Sequence, residues 1–255
     1  MVSLKSHSEI ELMRAAGRVV ARTLRVTAAA AVPGVSLIEL DRLAADTIRA
    51  AGAEPNFLGQ RPHRSVPPFP GVLCLSVNDR IVHGVPDDTV LREGDLLSID
   101  GGAAVRGYHA DAAITVEVGK VDAAATRLSQ ATKEGLDAGI AQMIPGARLG
   151  DISYAIQEVA KANGYGILHG HGGHGIGTSL HEDPHVANEG RPGRGYRLRE
   201  GLVLAIEPMY LEGGTGDYRI LPDQWTLATA DGRRAAHFEH TVAITADGPR
   251  ILTQE

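Results

Sequence analysis

Four carboxylates lie at matched positions in the two halves of the 255-residue sequence. The segment Leu91–Asp100 repeats as Leu198–Glu207 with six of ten positions identical, and each copy ends in a carboxylate. A second carboxylate follows in each half, within His109-Ala110-Asp111 and His237-Phe238-Glu239. Because related strand ends of a duplicated fold approach a common centre, the sequence predicts that four side chains converge: Asp100, Asp111, Glu207 and Glu239.

Converging carboxylates need a cation between them, since without one they repel each other by roughly several kcal/mol. The motif Gly173-His174-Gly175-Ile176-Gly177 offers an imidazole nearby. Four carboxylates and one imidazole suit two divalent ions that share ligands, as in two-metal hydrolases. Oxygen-rich ligation of this kind favours Mn²⁺, Fe²⁺ or Co²⁺ over a thiolate-type zinc site.

The glycine-rich stretch around His174 admits a second interpretation. Gly170–Gly175 fits the dinucleotide-binding pattern, and Glu189 follows about twenty residues later. That pattern must leave a strand and open a helix, whereas Pro184 comes too soon for a long helix. The metal-ligand interpretation is therefore favoured.

The elements that must position these residues repeat in the same way. Helical periodicity predicts two helices near the start, with capping boxes at Ser8–Glu11 and Ser36–Glu39, and two more from Asp122 onward. Apolar runs predict strands at 72–77, 96–99, 114–118, 202–206, 225–229 and 241–244, and the Pro-rich stretch 61–70 predicts a loop.

We therefore expect an α+β fold with a pseudo-twofold repeat. Strands of both halves would join in one curved antiparallel sheet with four helices outside it. Residues 1–255 would form a single catalytic domain, with internal halves at about 8–118 and 122–250.

Composition restricts the class of protein further. A formal net charge of -6 without a long basic run argues against nucleic-acid binding. The single cysteine, Cys74, cannot close an internal disulfide, which fits a reducing compartment such as the cytoplasm. No signal peptide or membrane-spanning run is visible, so no membrane partner is expected.

Together these motifs resemble the type I methionine aminopeptidases, which are metal-dependent exopeptidases of the pita-bread fold. Only 33 residues separate His174 from Glu207, which leaves no room for the helical insertion of the type II enzymes. The resemblance covers nearly the whole chain and rests on these segments: Ser76–Asp79, His83–Pro86, Gly94–Asp100, Tyr108–Asp111, Gly173–Gly177, His181–Glu182, Ile206–Met209 and Phe238–Thr241.

The resemblance implies a role for each site residue. Asp111 and Glu239 would bridge two divalent ions (Co, Mn, Fe or Zn), His174 and Glu207 would complete one, and Asp100 would chelate the other. A metal-bridging hydroxide would attack the substrate, and Glu207 would also shuttle a proton. The catalytic and substrate-contacting histidines would be His83 and His181.

The implied reaction removes the initiator methionine from peptides and nascent proteins whose second residue is small. The methionine pocket would consist of Phe69, Cys74, Leu180 and Trp225. The loop Gln60–Pro70 is longer than the family's usual run and lacks its two tyrosines, and Leu180 stands where phenylalanine is frequent. These departures affect the pocket and leave the ligands untouched.

The resemblance also implies a partner and a location: a cytoplasmic monomer would act on the N-termini of nascent chains near the ribosome. Two alternatives stay open. A prolidase or aminopeptidase P would share the ligands but normally carries an additional N-terminal domain, and a non-catalytic pita-bread binding module would normally lose ligands.

Overall fold

A computed structural model describes residues 2–255, which form four α-helices and fifteen β-strands. The helices are α1 (His7–Ala30), α2 (Leu37–Ala50), α3 (Ala123–Ala141) and α4 (Leu149–Asn163). The strands are β1 (Glu54–Pro55), β2 (Leu73–Val77), β3 (Arg80–Val82), β4 (Leu96–Val105), β5 (Tyr108–Glu117), β6 (Gly166–Ile167), β7 (Gly172–Gly175), β8 (Glu182–Ala187), β9 (Val203–Ile206), β10 (Met209–Leu211), β11 (Tyr218–Ile220), β12 (Leu227–Thr229), β13 (Ala235–His237), β14 (Glu239–Thr245) and β15 (Gly248–Ile251).

The first helix begins two residues earlier than the sequence predicts. Ser6 is the N-cap, and its hydroxyl accepts from the Glu9 amide while the Glu9 carboxylate accepts from the Ser6 amide. The predicted box of Ser8 and Glu11 is wrong because the same Ser-x-x-Glu spacing occurs twice in succession. Glu11 instead forms an ion pair with Arg250 at 2.6 Å. The second predicted box, Ser36 with Glu39, is confirmed.

Nine strands form one antiparallel sheet in the order β1–β4–β5–β14–β9–β7–β8, with β2 beside β4 and β15 beside β14. The order reflects the internal repeat, since the related strands β4 and β9 flank the central pair β5 and β14. Those two central strands come from opposite halves of the sequence. The predicted α+β class, with one antiparallel sheet and four helices, is confirmed.

The strands that carry the first two carboxylates are longer than predicted. β4 continues past Asp100 to Val105, and β5 starts at Tyr108, so Asp100 and Asp111 lie within strands and not at their ends. Gly101 weakens the strand signal in the sequence. Its small size is nevertheless needed, because a Cβ there would lie 2.6 Å from the Leu73 side chain.

The helices cover one face of the sheet and leave the other face to the cavity described below. α1 packs on β4 and β5, and α1 and α2 share one apolar cluster with the first-half strands. α3 and α4 share a second cluster with second-half strands. Over residues 2–255, none of the helices combines the length and apolar character that a membrane crossing requires.

Candidate active site

The uncovered face of the large sheet borders a cavity of about 580 Å³. Four of the five predicted metal ligands lie on strands of this sheet, and Glu207 follows directly after β9. All five line the cavity: Asp100, Asp111, His174, Glu207 and Glu239. The structure therefore brings the predicted ligands together.

Strand register explains why the carboxylates face the same way. Asp100 lies opposite Ala113 in β5, and Ala113 lies opposite Glu239 in β14. Residues directly opposite each other in antiparallel strands project to the same face. Asp111 lies opposite Gly102, where a Cβ would come within 2.9 Å of the Asp111 carboxylate. Glycine at this position leaves room for that carboxylate.

His174 enters the site from β7, which pairs with β9 at Ala205. Its Nδ1 lies 2.9 Å from the carbonyl oxygen of Gly175, which can only accept, so Nδ1 carries the proton. Nε2 is then a lone-pair donor and lies 3.7 Å from Glu207 Oε1. A strand, β8, and not a helix follows β7, so the dinucleotide interpretation of these glycines is wrong.

The donor atoms form two groups that meet at one residue. Atoms of Asp111, His174 and Glu239 lie within 4.8 Å of one another, and so do atoms of Glu207, His237 and Glu239. Glu239 belongs to both groups, as expected for a bridging ligand. Asp100 belongs to neither group, but it faces the same cavity.

Burial and mutual repulsion dominate the electrostatics of this cluster. Burial raises the pKa of Asp100 to about 8. Burial, and then the neighbouring carboxylates, raise the pKa of Asp111 and Glu239 well above the ordinary range, and burial followed by Asp100 does the same for Glu207. The four buried carboxylates cannot all stay ionised without a counterion, so the cluster requires either protons or cations.

Unpartnered oxygens show that the residues fit a metal. Asp100 Oδ1, Asp111 Oδ1 and Glu239 Oε1 are buried and accept no hydrogen bond from the described residues. Buried carboxylate oxygens without donors are strongly disfavoured unless a cation coordinates them. A carboxylate and histidine cluster capable of binding metal is thus present.

Sequence reasoning missed His237, although it recorded the motif His237-Phe238-Glu239. Its side chain is 2% exposed, and neither ring nitrogen has a hydrogen-bond partner among residues 2–255. Nε2 lies 3.7 Å from Glu207 Oε2 and 4.0 Å from Glu239 Oε2. Burial, with His83 nearby, lowers the pKa of His237 to about 3. The pairing of a histidine with a carboxylate two residues later was the available signal.

The matching histidine of the first half does not join the cluster. His109 is half-buried, and its Nδ1 lies 2.9 Å from Asn56 Oδ1. Its backbone amide donates to the carbonyl oxygen of Gly177, the last residue of the His174 motif. The repeat therefore relates the carboxylates but not the two histidines.

His83 and His181 line the same cavity as the metal-ligand cluster. The His181 ring lies 4.3 Å from that of His174, and burial lowers the pKa of His181. Burial, then the neighbouring His171 and His181, lowers the pKa of His83 to about 4. Both imidazoles are therefore neutral near pH 7. His83 has a positive φ of 56°, a backbone conformation that is often found at functional sites.

The predicted pocket residues meet in an apolar part of the same cavity. Phe69, Cys74 and Leu180 are buried, and Trp225 is half-buried with its ring 5.2 Å from Phe69 in an edge-to-face arrangement. Burial, then the nearby Asp100, raises the pKa of the Cys74 thiol, so Cys74 is neutral and apolar.

One pocket residue escaped sequence reasoning. Phe57 lines the cavity and packs edge-to-face on Phe69, with 6.4 Å between ring centroids. It lies between β1 and the atypical loop, and no motif of the sequence marks it. The loop itself is anchored to the pocket, since Trp225 Nε1 donates to the carbonyl oxygen of Pro67 at 2.9 Å.

The loop that carries His181 is held by an ion pair to the N-terminal segment. Lys5 Nζ lies 2.6 Å from Glu182 Oε2, and the two side chains are 4% and 15% exposed. The same carboxylate accepts from the Ser179 amide at 3.2 Å. Residues ahead of α1 therefore help to shape the rim of the cavity.

Comparison with known proteins places this arrangement in a family. Residues 11–246 match the model of metallopeptidase family M24. A methionine aminopeptidase 1 of Mycobacterium tuberculosis is 51% identical, covering 99% of this chain and 95% of that protein. The methionine aminopeptidase 1 of Bacillus subtilis is 42% identical over the full length of both chains.

Solved structures agree with these relatives. The methionine aminopeptidase of Thermotoga maritima superposes with a TM-score of 0.95 at 41% identity, covering 100% of both chains. The prolidase of Pyrococcus furiosus shares the fold, with a TM-score of 0.79 at 22% identity, but this chain covers 65% of that one. The predicted pita-bread fold is confirmed, and the prolidase alternative is less well supported. The chain belongs to metallopeptidase family M24 and, within it, to the methionine aminopeptidases.

Proposed function

We propose that this protein removes the N-terminal methionine from peptides and nascent proteins whose second residue is small. The observation that carries the proposal is the position of the metal-ligand cluster, which adjoins an apolar slot in the same cavity. A slot next to a hydrolytic cluster holds one side chain while the neighbouring peptide bond is cleaved.

We propose that the cluster holds two divalent cations of the Mn, Fe, Co or Zn kind. Asp111 and Glu239 would bridge them, with His174 and Glu207 completing one site and Asp100 the other. Such cations, when bound, lower the pKa of water and polarise a carbonyl. The three unpartnered carboxylate oxygens support this assignment.

Glu207 would transfer protons during hydrolysis. Its side chain is 15% exposed toward the cavity, whereas that of Glu239 is 3% exposed. A carboxylate that reaches the substrate can accept a proton from the attacking water and deliver it to the nitrogen of the leaving amine. Asn188 donates to the Glu207 carbonyl oxygen at 2.9 Å and so fixes the backbone behind this carboxylate.

His181 and His83 would bind the substrate backbone. As neutral imidazoles they can each donate one N–H, His181 toward the carbonyl oxygen that becomes negative and His83 toward the peptide. The burial that keeps them uncharged also strengthens such hydrogen bonds, because the local dielectric is low.

The slot of Phe57, Phe69, Cys74, Leu180 and Trp225 suits methionine at the first position. Methionine is unbranched and polarisable, and it makes favourable contacts with aromatic rings. The family resemblance implies that histidines and metal ions crowd the position after the scissile bond, and His83, His171 and His181 line the same cavity as the slot. Small second residues are therefore favoured, such as Gly, Ala, Ser, Thr, Pro, Cys and Val.

We further propose that the protein acts as a monomer in the cytoplasm on nascent N-termini near the ribosome. The single cysteine supports a reducing compartment, since the fold uses no disulfide. Nascent chains are the source of N-terminal methionine, which the slot is built to accept.

Peptide hydrolysis after metal exchange tests the proposal. The chelated protein is refilled with Mn²⁺, Fe²⁺, Co²⁺ or Zn²⁺ in turn, and kcat/KM is measured for Met-Ala-Ser, Leu-Ala-Ser and Met-Lys-Ser. We expect Met-Ala-Ser to be preferred over Leu-Ala-Ser by about 10- to 200-fold, the range that a hydrophobic pocket can discriminate. N-acetyl-Met-Ala-Ser is the matched control and should be refused.

The outcomes separate the alternatives. Equal rates for Leu and Met would refute the slot, and equal rates for Met-Lys-Ser and Met-Ala-Ser would refute crowding by the histidines. Preference for Ala-Pro dipeptides over Met-Ala-Ser would favour a prolidase, and no hydrolysis with any metal would favour a binding module.

A further inference from the structure

His237 is a buried imidazole whose ring has no hydrogen-bond partner within the described chain. Its side chain is 2% exposed, and both Nδ1 and Nε2 are unpartnered. Buried polar groups are nearly always satisfied in native proteins, so an exception beside the carboxylates of Glu207 and Glu239 requires an explanation. The proposed ligand set, which contains His174 as its single histidine, does not use this residue.

The backbone on both sides of His237 is fixed, so the residue cannot easily turn toward another partner. Its amide donates to Thr115 Oγ1 at 3.0 Å, and its carbonyl oxygen accepts from the same hydroxyl at 2.8 Å. Ser98 Oγ in turn lies 2.8 Å from Thr115 Oγ1, and His237 lies opposite Met209 in β10. The imidazole is thus held toward the carboxylates.

The position of Nε2 is that of a ligand and not that of a hydrogen-bond donor. It lies 3.7 Å from Glu207 Oε2 and 4.0 Å from Glu239 Oε2, nearly midway between two carboxylates. Hydrogen bonds to oxygen are about 2.7–3.2 Å long. Atoms that bind one cation at about 2.0–2.2 Å stand roughly 3–4 Å apart, which matches both distances.

We infer that His237 is an additional metal ligand, whose Nε2 completes a cation position with Glu207 and Glu239. This inference rests on the proposed two-cation site and adds to it a second imidazole beside that of His174. Imidazole suits Fe, Ni, Cu and Zn, whereas carboxylate and water suit Mn, and Co²⁺ binds sites of this kind more tightly than Mn²⁺. His237 therefore shifts the preference of this position away from Mn²⁺.

Proton NMR of the Co²⁺-loaded protein counts the histidine ligands directly. An imidazole bound to Co²⁺ through one nitrogen gives a strongly shifted, solvent-exchangeable signal from the N–H of its other nitrogen. We expect two such signals, from His174 and His237, and loss of one in His237→Gln. A single signal in the unaltered protein would overturn the inference, whether or not the variant folds.

His240→Gln is the matched control. His240 directly follows Glu239 in β14, but its ring turns toward the C-terminal segment, where Nδ1 lies 2.8 Å from Thr253 Oγ1. Both shifted signals should persist in this variant. Their loss would show that the signals report general disturbance of the site, and the inference would fall.

Calorimetric titration with Co²⁺ and Mn²⁺ gives a second measurement. Loss of a direct ligand in His237→Gln should weaken one Co²⁺ site by about 100-fold or more, because outer partners alone change affinity by about 10- to 100-fold. The Mn²⁺ affinity should change less than the Co²⁺ affinity. Equal weakening of both metals would contradict the assigned selectivity.

These readouts separate the inference from the proposed function. Two shifted signals in a protein that fails to cleave Met-Ala-Ser would leave the ligand assignment intact and refute the function. Cleavage of Met-Ala-Ser by a protein with one shifted signal would support the function and refute the ligand assignment.

Discussion

Replacing Asp100 by Asn should stabilise the metal-free protein and weaken the metal-bound one. Burial raises the pKa of Asp100 from 3.8 to about 8, so between these values the native state binds a proton that the unfolded chain releases. Stability must then fall as pH rises through this window, by up to about 1.4 kcal/mol for each pH unit. Asn removes the ionisation while keeping the size of the side chain.

The window of about four pH units corresponds to a destabilisation of about 5 kcal/mol at pH 8. The charge of Asp100 also raises the pKa of Asp111, Glu207 and Glu239. Removing this charge should therefore recover about 2 to 5 kcal/mol of unfolding free energy. For a chain of this size, roughly 2–4 °C of melting temperature accompanies each kcal/mol. The chelated Asp100→Asn protein should therefore melt roughly 4 to 20 °C above the unaltered protein at pH 8.

Differential scanning calorimetry at pH 5 and pH 8, with chelator and with saturating Co²⁺, measures the melting temperatures of both proteins. The difference in melting temperature between the two chelated proteins should shrink to about a third at pH 5, because pH 5 lies near the lower end of the window in which Asp100 destabilises the fold. With Co²⁺ the order should reverse, since metal stabilises the protein that binds it more tightly. Asp88→Asn, which alters an exposed carboxylate, is the control and should change neither value.

A chelated Asp100→Asn protein that melts below the unaltered one at pH 8 would refute the reasoning. It would show that Asp100 is stabilised where it lies and does not belong to the repulsive cluster.

Three further predictions follow from the site. Asp111→Asn should remove a shared ligand, weaken the binding of both metal ions and nearly abolish peptide hydrolysis. Full metal occupancy by elemental analysis would refute this assignment. His181→Ala should keep its metal content while kcat falls by about 10²- to 10³-fold, as losing one oxyanion donor typically does, and loss of metal would reassign His181 as a ligand. Lys5→Met should leave the partly buried Glu182 without its ion pair, raise KM for Met-Ala-Ser and lower the free energy of unfolding by roughly 1–3 kcal/mol. Kinetics and urea titration measure these effects. Unchanged KM and stability would contradict a role of the ion pair in shaping the rim of the cavity.

Much of the site was predictable because the duplication fixes which strands meet. The repeat of Leu91–Asp100 as Leu198–Glu207 indicated that Asp100 and Glu207 occupy related places, and both line the cavity. The alternation of side chains along antiparallel strands then carries Asp111 and Glu239 to the same face. Residue type and internal repetition were sufficient for this part, whereas the assigned roles stay predictions.

The remainder depends on contacts between distant segments, which local patterns do not encode. The Gly101-Gly102 pair hid the continuation of β4, because glycine is usually unfavourable in strands and is used here to make room for Leu73 and Asp111. His237 reaches Glu207 and Glu239 from the short strand β13, and Phe57 reaches the cavity just after the short strand β1. Neither short strand has a sequence signature. Ser6 and Ser8 could not be separated, since both have a Glu three residues later.

The central seam of the sheet gives the proposed cations a mechanical role. β5 and β14 are joined through two paired positions, His240 with Ala112 and Glu239 with Ala113, whereas β4 and β5 pair along ten. Asp111 lies on β5 and Glu239 on β14, one on each side of this seam. Cations bound by both residues would therefore cross-link the two halves of the sheet. Chelation should then loosen the seam before any helix, and amide hydrogens of β5 and β14 near these residues should be the first to exchange faster.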